Sequence, residues 1–420
     1  MLDIKFIREN PDLIKDAVRK KRISFDIDAL IKLDDKRKEA LTLFENTRAQ
    51  QNNLSDEVGK AKEGDRAKMA EKLKPLKEEV QSAEENLREI TKAWQALMLE
   101  VPNVPDVSVP DGEGEEDNQE VRNWGEKKAF DFEAKSHIDI MEALDMADFE
   151  TGSKVSGFRG YFLKNDGALL SFAIWQYAKD FWMKRGFQFM IAPSLVRKQT
   201  LLGTGFLPQG EEDLYKTQDD DYLAGTAEVA TMSYFADKVI EQSKFPIKIL
   251  SFSPCFRREA GAHSKDVKGL IRVHEFFKLE QVALCEASHE KSVELHEEIN
   301  KNTEEFIQSL GIPYQVVANC GGDLGLGQVK KYDINLWVPA EKTYREISSA
   351  SYFHDFQTRR LNIKYKNEEG KTHFAHSLNC TAIPTPRILV SLVENFQQAD
   401  GTIKVPEVLI PYIGKEVLGK

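Results

Sequence analysis

An α+β fold, built on an antiparallel sheet and preceded by an antiparallel two-helix coiled coil, is what this sequence predicts. Three observations carry that reading. Apolar residues recur in steps of three and four along two long N-terminal stretches. A segment rich in Pro, Gly and acid follows at residues 101–120. Beyond it, strand-like runs succeed one another without regular βαβ alternation, which favours an antiparallel sheet over a doubly wound one.

The first helix signal is Asn10-Pro11, an N-cap followed by proline at the opening helical position. The heptad rhythm then runs through Leu30, Leu33, Arg37, Ala40, Phe44, Leu54 and Val58, breaks around Gly59–Gly64, and resumes through Met69, Leu73, Val80, Leu87, Trp94 and Leu97. Two such runs joined by one polar turn predict a helical hairpin over about residues 28–100, each arm roughly 45–50 Å long at 1.5 Å per residue. Pro75 sits inside the second run, where it removes a backbone bond and predicts a kink. Bases crowd the turn (Lys60, Lys62, Arg66, Lys68, Lys72) with Glu63, Asp65 and Glu71 interleaved. Such an arm could reach a phosphate backbone, or equally serve as a dimerisation spacer.

This divides the chain into an N-terminal domain at 1–100, a linker at 101–120 and a second domain at 121–420. In the last, a helix at 168–184 presents Leu170, Ile174, Tyr177, Ala178 and Phe181 on one face. Strands are expected near 187–192, 246–256, 272–285, 314–320, 331–338, 344–352 and 372–380, with a helix near 386–397.

Composition sets outer limits. A chain of 420 residues with 30% charged side chains can bury sizeable cores. Its net charge of −11 argues against non-specific binding to nucleic acid, DNA included, though a local basic surface remains compatible with it. Cys255, Cys285, Cys320 and Cys380 lie far apart with no CxxC or Cys/His spacing, which reads as a reduced, cytoplasmic protein without structural zinc. No apolar run is long enough to span a membrane, and the acidic N-terminus lacks a signal-peptide pattern. Neither GxxxxGK[ST] nor GxGxxG occurs, so a nucleotide would be held by side chains.

The most informative stretch is 255–286. Read as two strands with a period of two, it puts Arg257 and Glu259 on one face, and Arg272, Phe276 and Glu280 on the matching face of the return strand. Val273, Phe277 and Leu279 take the opposite parity, which implies a covered sheet. A floor of arginines, an aromatic ring and carboxylates suits a ligand with phosphates, an aromatic base and an amine, such as ATP with an amino acid. A solvated sheet face is the plainer alternative. His274 reads as a hydrogen-bonded sheet histidine, and Arg359-Arg360 as a surface or dimer contact.

These residues resemble the class II aminoacyl-tRNA synthetases, and within them the seryl-tRNA synthetase family, over essentially the whole chain. GFQFMIAP ending at Pro193, FRREAG…RVHEFFKLEQ, and HSLNCTAIPTPRILVSLVENFQ are similar to the three class signatures. GTAEV at 225–229, GDLG at 322–325 and EISSASYFHDFQTRR at 346–360 are similar to that family's serine-specific segments.

The resemblance implies catalytic roles for Arg257, Arg272 and Arg387, and an L-serine site of Thr226, Ala227, Glu228, Glu280, Asn379 and Thr381. It implies ATP contacts from Arg257, Arg258, Glu259, Arg272, Phe276, Glu346, Ile347, Ser348, Ser349 and Arg387, with Mg²⁺ on Glu346 and Ser349. It further implies a homodimer, tRNA(Ser) on the helical arm, and tRNA(Sec) as a second candidate acceptor. Cys380 stands where glycine is common, which bears on the amino-acid pocket. Asn335 stands where glutamate often occurs, which bears on the surface. Glu346 and Ser349 are three apart on an expected strand, so a bulge or a strand end must intervene if both meet one metal. The rival readings are a class II relative that activates another amino acid or loads another carrier, and a catalytically inactive tRNA-binding paralogue.

Overall fold

The computed structural model describes residues 1–261 and 266–419. Its contacts divide the chain into two compact units: Leu2–Arg19 with Ile23–Pro102, and everything from Asn103 onward with Met1 and Lys20–Arg22.

In the first unit, α1 (Ile4–Glu9) and α2 (Pro11–Lys20) precede two long helices, α3 (Ile27–Lys60) and α4 (Glu63–Glu100). Asp26 caps α3 by accepting from the Ala29 amide. At 34 and 38 residues, α3 and α4 measure about 51 and 57 Å, longer than the heptad count suggested. The assigned helix α4 continues through Pro75. The seam buries Leu30, Ala40, Val80 and Ala83. Near its base, the buried Asp34 carboxylate is held by Arg8, Arg37 and Lys38 at 2.9–3.1 Å.

Around the turn, Lys60, Lys62, Arg66, Lys68 and Lys72 are exposed. Arg66, however, donates to the carbonyls of Val58 (3.3 Å) and Gly59 (3.4 Å) at the end of α3, the first of which also accepts from the Ala61 amide. It therefore closes the turn as well as charging it. The side chains of Glu63 and Asp65 lie outside the described residues.

The composition of residues 101–120 suggested a linker, but the second unit already begins at Asn103. The Asn103 amide donates to the carbonyls of Gly327 (3.0 Å) and Phe353 (2.8 Å), and Asp106 accepts from the Tyr352 hydroxyl at 2.8 Å. Polar side chains bonded to the domain turn a flexible composition into a fixed strap.

The second unit is organised by an eight-stranded sheet. In chain order its strands are β1 (Gln119–Trp124), β2 (Gln188–Ile191), β3 (Ile247–Phe256), β4 (Glu275–Cys285), β5 (Tyr314–Ala318), β6 (Lys330–Val338), β7 (Thr343–His354) and β8 (His376–Thr385). In space they run β1-β5-β6-β7-β8-β4-β3-β2, antiparallel except for the β2–β3 pair. Helices α5 (Asn165–Met183) and α7 (His289–Leu310) cover one face. The α5 stripe Leu170, Ile174, Ala178 and Trp182 enters the main core with Ile299, Phe306 and Ile307 of α7. Three shorter helices complete the frame of the site: α6 (Glu228–Tyr234), α8 (Phe356–Arg360) and α9 (Arg387–Phe396). Arg360 is not a surface residue: it lies over the Phe356 ring, donates to the Leu202 carbonyl at 3.0 Å, and has its pKa lowered to about 10 by burial.

Candidate active site

The strand pattern expected across 255–286 holds only in part. β3 stops at Phe256 and β4 starts at Glu275, so Arg257, Glu259 and Arg272 lie in the connection and not on a pleated face. Glu259 has φ 54° and Gly269 φ 101°, left-handed values that take the chain out of extended geometry. Residues 262–265 of this connection lie outside the described residues.

The side chains nevertheless converge. Arg272 pairs with Glu259, and its Nε lies 3.7 Å from Asp266. The Arg257 guanidinium stands 5.3 Å from the centre of the Phe276 ring and 3.5 Å from the Gly225 carbonyl. Arg387, at the start of α9, donates to the carbonyls of Ile271 (2.8 Å) and Glu346 (2.9 Å). Burial lowers its pKa, opposed by the nearby Glu346 carboxylate. These groups border a cleft of about 520 Å³ that also touches Phe256, Asp266, Asn335 and Arg345. Asn335 is thus part of the cleft wall, not only of the outer surface. Its Cα partner across the sheet is Glu346, which brings it to the same rim.

β4 keeps its period of two from Phe276 onward. Phe276, Lys278 and Glu280 share a face, and Lys278 is a site residue that the sequence reading passed over. Its ammonium lies 2.6 Å from a Glu280 oxygen, which also accepts from the Thr381 hydroxyl at 3.2 Å. Lys278, Glu280 and Thr226 are 5% exposed or less, so these charges are held in a dry pocket. Glu228, in the first turn of α6, is buried with them. Its carboxyl is pushed up to about 7 by burial and by the Glu280 carboxylate, against the pull of the Gln357 amide, Lys278 and Asn379. Ala227 is the buried N-cap residue of α6 and offers backbone there.

A smaller recess joins the two regions. Arg257, Glu259, Phe276, Lys278, Glu346, Ile347, Thr381 and Arg387 all line it. Arg257 and Arg387 therefore open onto a common space with Lys278 and Thr381, the two residues bonded to Glu280.

Other expected residues separate into those that join this space and those that do not. Ser348 turns the other way and donates to the Thr381 carbonyl at 2.6 Å. Arg258 is exposed, with its amide bonded to the Asp213 carbonyl at 2.9 Å, and it does not border either recess among the described residues. Cys380 also points away. Its thiol lies 3.5 Å from Thr303 and 3.6 Å from Ser348, beneath α7, and burial raises its pKa to about 12. His274 is bonded at 2.9 Å to the Arg257 carbonyl and helps shape the connection.

The bulge that Glu346 and Ser349 require is present. Ile334 pairs with Ser348 but Asn335 pairs with Glu346, so β7 carries one extra residue at Ile347. Ser349 stands opposite Asp333, whose carboxyl is raised to about 6 by burial, lowered by Lys331, raised by Glu346, and bonded to Ser349. Glu346 and Ser349 therefore approach one face, backed by Asp333. Hard oxygen donors of this kind, few in number, fit a Mg²⁺ whose remaining positions are filled by phosphate and water. One Asp333 oxygen, Oδ1, is buried without a hydrogen-bond partner, so the cluster has unspent acceptor capacity. No cluster of three or more His, Cys, Asp or Glu side chains with metal-binding geometry exists among the described residues.

A platform of antiparallel strands with side-chain arginines for a nucleotide defines a class II aminoacyl-tRNA synthetase core, and the model of the class II core domain for G, H, P, S and T matches residues 214–396. The seryl-tRNA synthetase N-terminal domain matches residues 1–105. The chain is 45% identical to the serine–tRNA ligase of Deinococcus radiodurans, covering 100% of this chain and 99% of that one, and 43% identical to that of Caldanaerobacter subterraneus over the full length of both. Among solved structures, seryl-tRNA synthetase from Pyrococcus horikoshii complexed with ATP matches with a TM-score of 0.89 at 36% identity, covering 100% of this chain and 99% of that one. The Naegleria fowleri cytoplasmic enzyme in complex with AMP gives 0.87 at 33% identity, covering 100% and 98%. The chain belongs to the seryl-tRNA synthetase family.

Proposed function

We propose that this chain joins L-serine to ATP in the space between the Glu280 pocket and the Arg257–Arg387 cleft, and then passes serine to tRNA(Ser). The observation that carries this reading is the shared recess lined by Arg257, Phe276, Lys278, Thr381 and Arg387. It brings amino-acid groups and phosphate groups within reach of one reacting centre.

In the first step a serine carboxylate oxygen attacks the α-phosphorus of ATP. A P–O bond forms, the bond to the leaving pyrophosphate breaks, and seryl-adenylate remains. The nucleophile is already ionised at neutral pH, so no general base is needed. The barrier is repulsion between anions and the movement of charge onto the leaving group, which fixed guanidinium groups counter. Arg257 would hold the α-phosphate, Arg272 the terminal phosphates, and Phe276 with Arg387 the two faces of adenine. Glu259 and Asp266 occupy Arg272 in the free protein, so phosphate binding exchanges one anion partner for another. Glu346 and Ser349 would hold Mg²⁺, which when bound neutralises phosphate charge. In the second step the 3′-hydroxyl of the tRNA's terminal ribose attacks the adenylate carbonyl carbon and AMP leaves.

Serine selection rests on buried polar groups. Glu280 and Glu228 face one cation, Lys278, so the pocket favours an incoming ammonium. Alanine would leave the hydroxyl's partners, Glu280 and Thr381, unpaired, a penalty of several kcal/mol. Asn379 lies beside them and would close over the side chain. The exposed lysines at the α3–α4 turn support a role for the arm in tRNA binding.

A homodimer is supported by the outer face of α5 and β2, where Leu169, Phe172, Phe189 and Ile191 are 39–73% exposed beside an apolar cavity of about 890 Å³. Among the described residues no helix is long and apolar enough to cross a membrane, and the four unpaired cysteines support a reducing, cytoplasmic setting. Serine-dependent ATP–pyrophosphate exchange tests the reading. Wild-type protein should exchange and Glu280→Ala should not, with the variant's circular dichroism unchanged. Equal exchange in both would remove Glu280 from the site.

A further inference from the structure

The serine pocket has a support inside the 346–360 segment, at a residue to which the sequence reading assigned no role. Gln357, on α8, is 1% exposed and spends its whole amide on fixed partners. Its Nε2 donates to a Glu228 oxygen at 2.7 Å and to the Thr204 carbonyl at 3.0 Å. Its Oε1 accepts from the Ser377 hydroxyl at 2.7 Å. Two acceptors on one side and a donor on the other determine which way the amide faces, because the reversed amide would set oxygen against oxygen. Ser377 is two residues before Asn379 on β8, on the same parity. One side chain therefore ties the first turn of α6 to the strand that carries Asn379 and Thr381.

We propose that Gln357 is a positioning residue for amino-acid binding: it fixes the Glu228 carboxylate and favours its ionised form without adding positive charge to the pocket. The proposal rests on the reading that Glu228 belongs to the serine site. Glu228 is buried, and Glu280 stands near it, so both effects favour a proton on it. The opposing groups are Lys278 on β4, Asn379 on β8 and Gln357 on α8. Lys278 is already engaged by Glu280 at 2.6 Å. A second lysine or arginine at position 357 would also hold the carboxylate, but it would repel the substrate ammonium that the carboxylate is there to receive. A neutral amide donor holds the anion and leaves its charge for the substrate.

The test measures pyrophosphate exchange with L-serine and ATP varied separately, between pH 6 and pH 8.5, on full-length protein. Gln357→Met keeps the volume and removes the bonds. It should raise the serine KM about tenfold, the equivalent of one lost hydrogen bond to a charged group, while the ATP KM stays within about twofold. The pH below which serine binding weakens should move upward, because Glu228 loses a partner that stabilises its anion. A merely structural role would raise both KM values together, lower kcat, and leave the pH profile in place. Any of those outcomes overturns the proposal. Should Gln357→Met fail to fold, Ser377→Ala frees the amide to turn, and the same selective rise in serine KM, about threefold, is expected from it. Glu228→Gln serves as the control on the underlying reading. If it leaves the serine KM unchanged, Glu228 is not in the serine site and the proposal falls with it. If Glu228→Gln impairs serine binding and neither Gln357→Met nor Ser377→Ala does, only the positioning role is overturned.

Discussion

The amino-acid pocket and the nucleotide cleft adjoin one another, yet they are built on opposite principles. In the pocket, Lys278, Glu280, Thr226 and Glu228 are buried, and before any substrate arrives Glu280 is bonded to Lys278 and Thr381, and Glu228 to Gln357. In the cleft, Arg257 is exposed and Arg272 is paired with Glu259, a partner that a phosphate can replace. A small zwitterion offers few contacts, so each must be dry and pre-aligned to discriminate. A polyanion brings ample charge, so its site needs mobile cations kept apart until it binds. On the function proposed above, specificity would sit in the buried region and transition-state charge stabilisation in the open one.

The comparison can be broken in several ways. The largest expected effect lies outside both regions. Removing residues 28–100 should abolish tRNA charging while serine-dependent pyrophosphate exchange continues, and loss of both activities would show that the arm is needed for the core itself. Next, Glu280→Gln should lower kcat/KM for serine on the order of 10³-fold, because Lys278 and Thr381 lose a charged partner, while ATP binding measured by fluorescence quenching persists. An equal loss of ATP affinity would show that pocket and cleft are not separable.

pH should sharpen the distinction. With Glu228 raised to about 7, serine KM should climb as pH falls below that value, and ATP KM should not follow. Stability should move in the opposite direction. A carboxyl raised by burial contributes most below its usual value of 4.5 and loses that contribution as pH rises through about 7. Thermal melts of Glu228→Gln should flatten that slope, and an unchanged slope would assign it to other groups. The smallest effect is expected at Cys380: Cys380→Ala should leave the serine KM within about twofold, since its thiol packs under α7. A larger change would place the thiol's influence in the pocket.

Much of this was legible in the chain. The heptads gave both long helices, and alternation gave the sheet. The three-residue spacing of Glu346 and Ser349 called for a bulge or a strand end if both meet one metal, and the β6–β7 register contains a bulge there. Lys278 could have been found, since it shares parity with Phe276 and Glu280. Arg257 and Arg272 both border the cleft, but they lie outside the strands whose parity was expected to bring them together. The left-handed turn at Glu259 is a backbone choice that a non-glycine residue does not announce. Residues 101–120 have a linker's composition, and only bonds such as those of Asn103 to distant carbonyls reveal a fixed strap. Gln357 lies inside the 346–360 segment that the resemblance singled out, but nothing in its local pattern gives it a role. Its importance arises from Thr204, Glu228 and Ser377 meeting around it, three positions separated by as many as 173 residues (377 − 204).

The central claim is that these buried carboxylates select one amino acid for attack on ATP. ATP–pyrophosphate exchange against a panel of amino acids including alanine, threonine, cysteine and glycine tests it most directly. Exchange with serine far above all the others is the expected result. Comparable exchange with another amino acid, or none with serine, would contradict it.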